Sequence, residues 1–219
     1  MTAVLEAPTP RPATARATDH PPHTPCFTVG TRVATDKGAV AIEDLRLGDL
    51  VLTRDNGYRP LRWIGARSFD AAELRRYPQL QPLRIAAGAL GEGMPSRDML
   101  VSPQHQVLLF GILARAWSGE TEMLVPAVTL DYLPGVTREV QSAVTYVHVM
   151  FDAHEVIWAD GCWSESFLPA AATLGGMHEA QRAEILAIFP ELATDQGQAG
   201  FAAARSGPPE APAPVRRAA

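Results

Sequence analysis

Cys26-Phe27-Thr28-Val29-Gly30-Thr31-Arg32-Val33-Ala34-Thr35 is the first stretch of the chain that reads as folded β-structure. From Thr31 onward apolar and polar residues alternate, the period of a half-buried strand, and the run stops at Asp36-Lys37-Gly38, a hairpin turn sequence. The 25 residues before Cys26 contain six prolines and no apolar period. Such a composition buries too little surface to offset the entropy of ordering, so 1–25 is expected to be a disordered leader. Cys26 therefore stands at the boundary between leader and domain. A thiol there can reach the carbonyl of Pro25 through a five-membered ring and convert the amide to a thioester. The step runs uphill unless a base takes the thiol proton, a donor holds the developing oxyanion and an acid meets the departing nitrogen. A free thiol has a pKa of about 8.5 and is mostly protonated at neutral pH. The plainer reading of Cys26 is a small, inert, buried residue.

Outward from that stretch the strand-and-turn pattern repeats. A return strand is expected at 39–42, then strands at 50–54 and 58–68 flanking Asp55-Asn56-Gly57, the strongest hairpin signal in the chain. Further strands are expected at 83–86, 106–110, 122–125, 144–151 and 155–159, and Asp160-Gly161 turns into a last strand beginning Cys162-Trp163-Ser164. Residues 73–77 make a short helix at best, and 126–132 a turn or short helix. Only 178–189 shows a helical period, in Ala180, Ala183, Ile185, Leu186 and Phe189, with a stop at Pro190. The expected fold is all-β, with short strands in curled or paired sheets and one C-terminal helix. The expected divisions are a β-domain over 26–168, a helical extension over 169–192 and a disordered tail over 193–219.

Composition limits the function. Apolar residues at 47% and charged residues at 20% are ordinary for a globular chain large enough to bury a core without disulfides. A net charge of −5, with no Lys/Arg block beyond pairs such as the terminal Arg216-Arg217, argues against a nucleic-acid groove or an anionic membrane surface as partner. Two cysteines, Cys26 and Cys162, build neither a disulfide framework nor a four-cysteine zinc site. No apolar run reaches membrane-spanning length, and prolines interrupt the place where a signal peptide would have its apolar core. The expectation is a monomer without cofactor, cytoplasmic or exported without a cleavable signal peptide.

Two further constellations carry candidate chemistry. Ser102-Pro103-Gln104-His105 brings a hydroxyl and an imidazole to one turn, stiffened by Pro103. His148 and His154 flank an expected hairpin, and His148, on a half-buried face, needs a partner. The plain reading of each histidine is a ring bonded to a backbone carbonyl. His105, His148 and His154 could together ligate a metal, but no HExxH helix or paired CxxC supports zinc.

In order along the chain, these segments resemble a known family. The opening stretch, continued by Gly38 and by Ile42-Glu43-Asp44-Leu45, Gly48-Asp49 and Val51-Leu52, is similar to the first block of Hint domains, the self-processing modules shared by hedgehog proteins and inteins. Ser102-Pro103-Gln104-His105 resembles their Thr-x-x-His block. Val147-His148-Val149-Met150-Phe151-Asp152-Ala153-His154-Glu155-Val156, with Asp160-Gly161, resembles their late block. Arg62-Trp63-Ile64-Gly65 and Glu165-Ser166-Phe167 are most similar to a bacterial stand-alone branch. The resemblance implies a horseshoe-shaped all-β module with pseudo-two-fold symmetry. It implies Cys26 as nucleophile, His105 as the acid on the nitrogen of the Pro25–Cys26 bond, Ser102 as a positioning or oxyanion group, His148 as base, and His154 as the late-block histidine. The partner is then the chain's own N-terminal segment, with water or an external nucleophile as acceptor.

Departures from the family pattern narrow the outcome. The only asparagine is Asn56, in a hairpin, so the asparagine cyclisation that completes splicing is not expected. Residues 176–219 are too little for a sterol pocket, and the strand around Arg62-Trp63 lacks the acidic residue that activates sterol in hedgehog proteins. The expected activity is opening of the Pro25–Cys26 bond, followed by hydrolysis or transfer. Two alternatives are a catalytically silent Hint fold that binds, and a cysteine hydrolase acting in trans. Against the hydrolase, such enzymes commonly seat their cysteine at a helix N-terminus rather than a strand boundary.

Overall fold

The computed structural model describes residues 25–207. The leader up to residue 24 and the end of the tail from residue 208 lie outside the described residues. Two antiparallel sheets carry the fold. One runs in the order Val136–Arg138, Leu83–Ile85, Met99–Val101, Phe27–Thr28, Val144–Met150, Trp63–Phe69. The other runs Glu122–Pro126, Gln106–Phe110, Cys162–Glu165, Val156–Ala159, Arg32–Thr35, Leu50–Thr53, Gly57–Pro60, with Gly38–Ala41 paired to Arg32–Thr35. Alternation sets which face is buried: in Arg32–Thr35, Val33 and Thr35 point inward and Arg32 outward. Val101 and Val147 of the first sheet and Val33, Val107 and Ile157 of the second meet in one core. The turn after Val156–Ala159 is held by Asp160 and Gly161, both at positive φ (50° and 76°), as a type I′ turn requires.

Among the described residues five α-helices decorate the sheets: α1 (Ala71–Arg76), α2 (Ile112–Ser118), α3 (Ala171–Gly175), α4 (Glu179–Ile188) and α5 (Asp195–Gly200). The single C-terminal helix expected from sequence is α4; α3 and α5 are additional to it. Neither α3 nor α5 is long enough to display an apolar period, and α5 is held by its cap, Thr194 Oγ1 accepting from the Gly197 N–H at 3.1 Å. The loop carrying α2 had no helix expectation: Ile112 is 83% exposed, so the segment shows no buried stripe. Its ends are set instead by Gly111 and by Gly119, a left-handed C-cap.

The stretch 193–207, expected as part of a disordered tail, is ordered by distant partners. Phe201 packs edge-on against Phe189 at 6.2 Å. The Ala204 N–H donates to His154 Nδ1 at 3.0 Å, and Arg205 bridges Asp55 and Glu122. Local composition cannot report such contacts, because the groups that order the segment lie far away in sequence. Together with Leu174, Ile185, Phe189 and Leu192, the extension covers Trp63, Met150 and Phe167 with a second apolar cluster.

Candidate active site

The shortest strand makes the site. Phe27–Thr28 lies between two longer strands, with Phe27 opposite Val147 on one side and Val101 on the other. Both pairings are antiparallel, so one step back along this strand is one step forward along each neighbour. Cys26 therefore falls beside His148 and Ser102. The contacts follow: the Ser102 N–H donates to the Cys26 carbonyl at 2.9 Å, and the Cys26 N–H donates to Ser102 Oγ at 2.9 Å.

His148 contacts both the Cys26 sulfur and the Pro25 carbonyl oxygen. Its Nε2 is 3.3 Å from Cys26 Sγ and its Nδ1 is 2.8 Å from the Pro25 carbonyl oxygen. A carbonyl oxygen only accepts, so Nδ1 carries the hydrogen, and Nε2 of the neutral ring is left to accept from the thiol. Burial pushes the His148 pKa down to about 4, opposed by the bond to Pro25, so the ring is neutral at pH 7. Burial also raises the Cys26 thiol well above its ordinary range, while the Ser102 hydrogen bond and the Arg67 charge pull it down and the Glu165 charge adds to the rise. The resting pair is thus thiol and neutral imidazole. The ring is held from the side by Trp63, stacked at 6.3 Å, and by Phe167, edge-on at 5.4 Å. Gly65 faces His148 across the sheet, and a Cβ there would lie 2.4 Å from the Trp63 ring, so the glycine is what lets the indole lie flat.

The remaining candidates divide. His105 closes the Ser102 turn, its N–H donating to the Ser102 carbonyl at 3.0 Å. Its ring packs on Phe27 with centroids 4.2 Å apart, and neither ring nitrogen has a hydrogen-bond partner among the described residues. Burial, with a contribution from His148, pushes its pKa down to about 3. The hydroxyl of Ser102, rather than the His105 imidazole expected there, meets the Cys26 nitrogen. His154 is not brought to Cys26. Its Nδ1 accepts from the Ala204 N–H, its Nε2 donates to the Ser166 carbonyl at 3.1 Å, and Glu165 lies 3.6 Å away. Among the described residues, no group of three or more His, Cys, Asp or Glu is arranged to hold a metal ion. Cys162 is a core residue, its thiol pushed up to about 12 by burial.

Cys26, Ser102 and His148 line a cavity of about 140 Å³. Arg67, Arg138 and Tyr146 line it too, together with Met177 and Gln181 from the C-terminal extension. None of these was singled out from sequence. Arg67 alone left a signal: it shares a face with Trp63, Gly65 and Phe69, a charge on an otherwise apolar stripe.

The family model of the Hint domain matches residues 25–171. The chain belongs to the Hint domain family. Among solved structures, this Hint domain protein is similar to the gp41-1 intein (13% identity, 64% of this chain and 97% of that one, TM-score 0.40). It is also similar to a splice-inactive variant of the AceL NrdHF class 3 split intein (16%, 65% and 97%, 0.42) and to a bacterial intein-like domain from Clostridium thermocellum (12%, 64% and 97%, 0.41). No curated protein matches it. Among its described residues no helix is long and apolar enough to cross a membrane.

Proposed function

We propose that this Hint domain protein processes itself, Cys26 opening the peptide bond to Pro25 by an N–S acyl shift. The observation that carries the reading is the single imidazole of His148, within hydrogen-bond reach of both the nucleophilic sulfur and the carbonyl oxygen it would attack. His148 Nε2 takes the thiol proton as the sulfur–carbon bond forms. The oxygen gains negative charge and is held by Nδ1–H, the group already bonded to it. The carbon–nitrogen bond then breaks and the Cys26 nitrogen takes a proton. That proton is the one His148 took from the thiol, delivered through the Ser102 hydroxyl, which is hydrogen-bonded both to the nitrogen and to the sulfur, so that His148 returns to its neutral form. The acyl group of the leader ends on sulfur as a thioester. Water or another nucleophile then breaks the carbon–sulfur bond, releasing residues 1–25 and returning the thiol. Nothing in this sequence of steps leads on to splicing.

One observation favours the silent-module reading: Cys26 is 5% exposed, and its burial disfavours thiolate. Intact-mass spectrometry of the purified protein separates the two. With hydroxylamine or dithiothreitol present, the leader is lost over time in the native protein and retained in Cys26→Ala. A chain that stays whole through prolonged exposure to strong thiol rules out self-processing.

A further inference from the structure

No step of the acyl shift as written passes through the two arginines of the cavity. Arg67 and Arg138 both line it, and among the described residues no carboxylate does. Arg67 lies over the Phe69 ring, 4.5 Å from its centroid, and among the described residues it has neither a carboxylate partner nor a hydrogen-bond acceptor. Its charge nonetheless acts on the Cys26 thiol. Arg138 uses Nη1 on the carbonyls of Pro78, Gln79 and Gln81 and has no carboxylate partner among the described residues. Several other arginines pair with carboxylates, among them Arg54 with Glu122, Arg84 with Asp98, and Arg205 with Asp55. The carboxylate that does act on the thiol, Glu165, is buried, bonded to Gln106, and does not line the cavity. The leader does not supply the missing charge next to the scissile bond either, since residues 20–25 contain no Asp or Glu. A half-enclosed cleft of one sign concentrates solutes of the other.

We infer that the acceptor resolving the Cys26 thioester is a small amine or thiol carrying an anionic group, a carboxylate or its like, held by Arg67 and Arg138. The inference rests on the self-processing reading. The acceptor's nitrogen or sulfur attacks the thioester carbonyl, the new acyl bond forms as the carbon–sulfur bond breaks, and the proton released by the nucleophile passes through His148 to the Cys26 sulfur. A guanidinium suits the task because its planar fork matches a carboxylate.

The test follows release of the leader from the purified full chain by intact mass. The traps are 3-mercaptopropionate, 2-mercaptoethanol at matched thiolate concentration, and hydroxylamine as a neutral reference. At low salt the anionic thiol should act about tenfold or more faster than the neutral one. The ratio should shrink as salt shortens the screening length to a few ångströms. Arg67→Gln should lower the ratio and Arg67→Glu invert it. Because the salt titration uses the unaltered protein, a variant that fails to fold does not spare the inference. Equal rates for the two thiols at low salt, with hydroxylamine still releasing the leader, overturn this inference alone. No release with any of the three overturns the self-processing reading, and the inference with it.

Discussion

Replacing His148 by glutamine removes the proposed base and keeps a hydrogen-bond donor, which makes it the sharpest test of the geometry. The ring is within 3.3 Å of sulfur through one nitrogen and 2.8 Å of the Pro25 oxygen through the other. Loss of a positioned general base typically lowers a rate by about 10²–10⁴, and loss of one oxyanion donor by about 10²–10³. These do not multiply when one ring performs both tasks. His148→Gln is therefore expected to slow thioester formation by about 10³, while His148→Ala, which removes the donor as well, falls further. The assay is single-turnover: leader release with saturating hydroxylamine, read as intact mass against time. A pH series adds an independent check. The base acts as neutral imidazole, and its pKa is held at about 4, so the native rate should stay level as pH falls from 7 to 5 and drop only near 4. A midpoint near the ordinary histidine value would contradict the buried site. Release by His148→Gln within about threefold of native, far inside the range expected for a general base, would refute the mechanism outright.

Four other outcomes follow from the same contacts. His105→Leu should leave stability level or raise it, because it removes two buried nitrogens without partners, and urea titration reads this; slowed leader release in the same variant would place the ring in the proton path. Gly65→Ala forces a Cβ to within 2.4 Å of the Trp63 ring and should lower stability by about 1–3 kcal/mol in denaturant titration, slowing release as the ring stacked on His148 shifts. His154→Ala leaves the Ala204 N–H and buried Glu165 short of a partner, so about 1–3 kcal/mol of stability should go while hydroxylamine-driven release stays within a few-fold. Stability itself should fall as pH is lowered from about 6.5 toward 4: the unfolded chain takes up protons there and the buried His148 and His105 do not. Each contributes up to roughly 3 kcal/mol over that range, checked by the melting temperature across it.

The sequence by itself determined the strands, the turns and the kind of fold. Short alternating runs, Asp55-Asn56-Gly57 and Asp160-Gly161 are local signals, and a local signal suffices where the backbone choice is local. It also singled out Cys26, Ser102 and His148, which the register of one two-residue strand brings together. What it could not decide is which atoms meet. The imidazole of His105 was expected at the Cys26 nitrogen, but a hydroxyl, that of Ser102, is there. His154, six residues from His148, belongs instead to the contacts that tie down residues 201–207. Nor did composition show that 193–207 folds back, or that Arg67 faces the thiol cavity. Those facts depend on pairings between residues far apart along the chain, and on burial, which shifts the thiol and both imidazoles from their solution pKa values. Only the tertiary structure supplies either one.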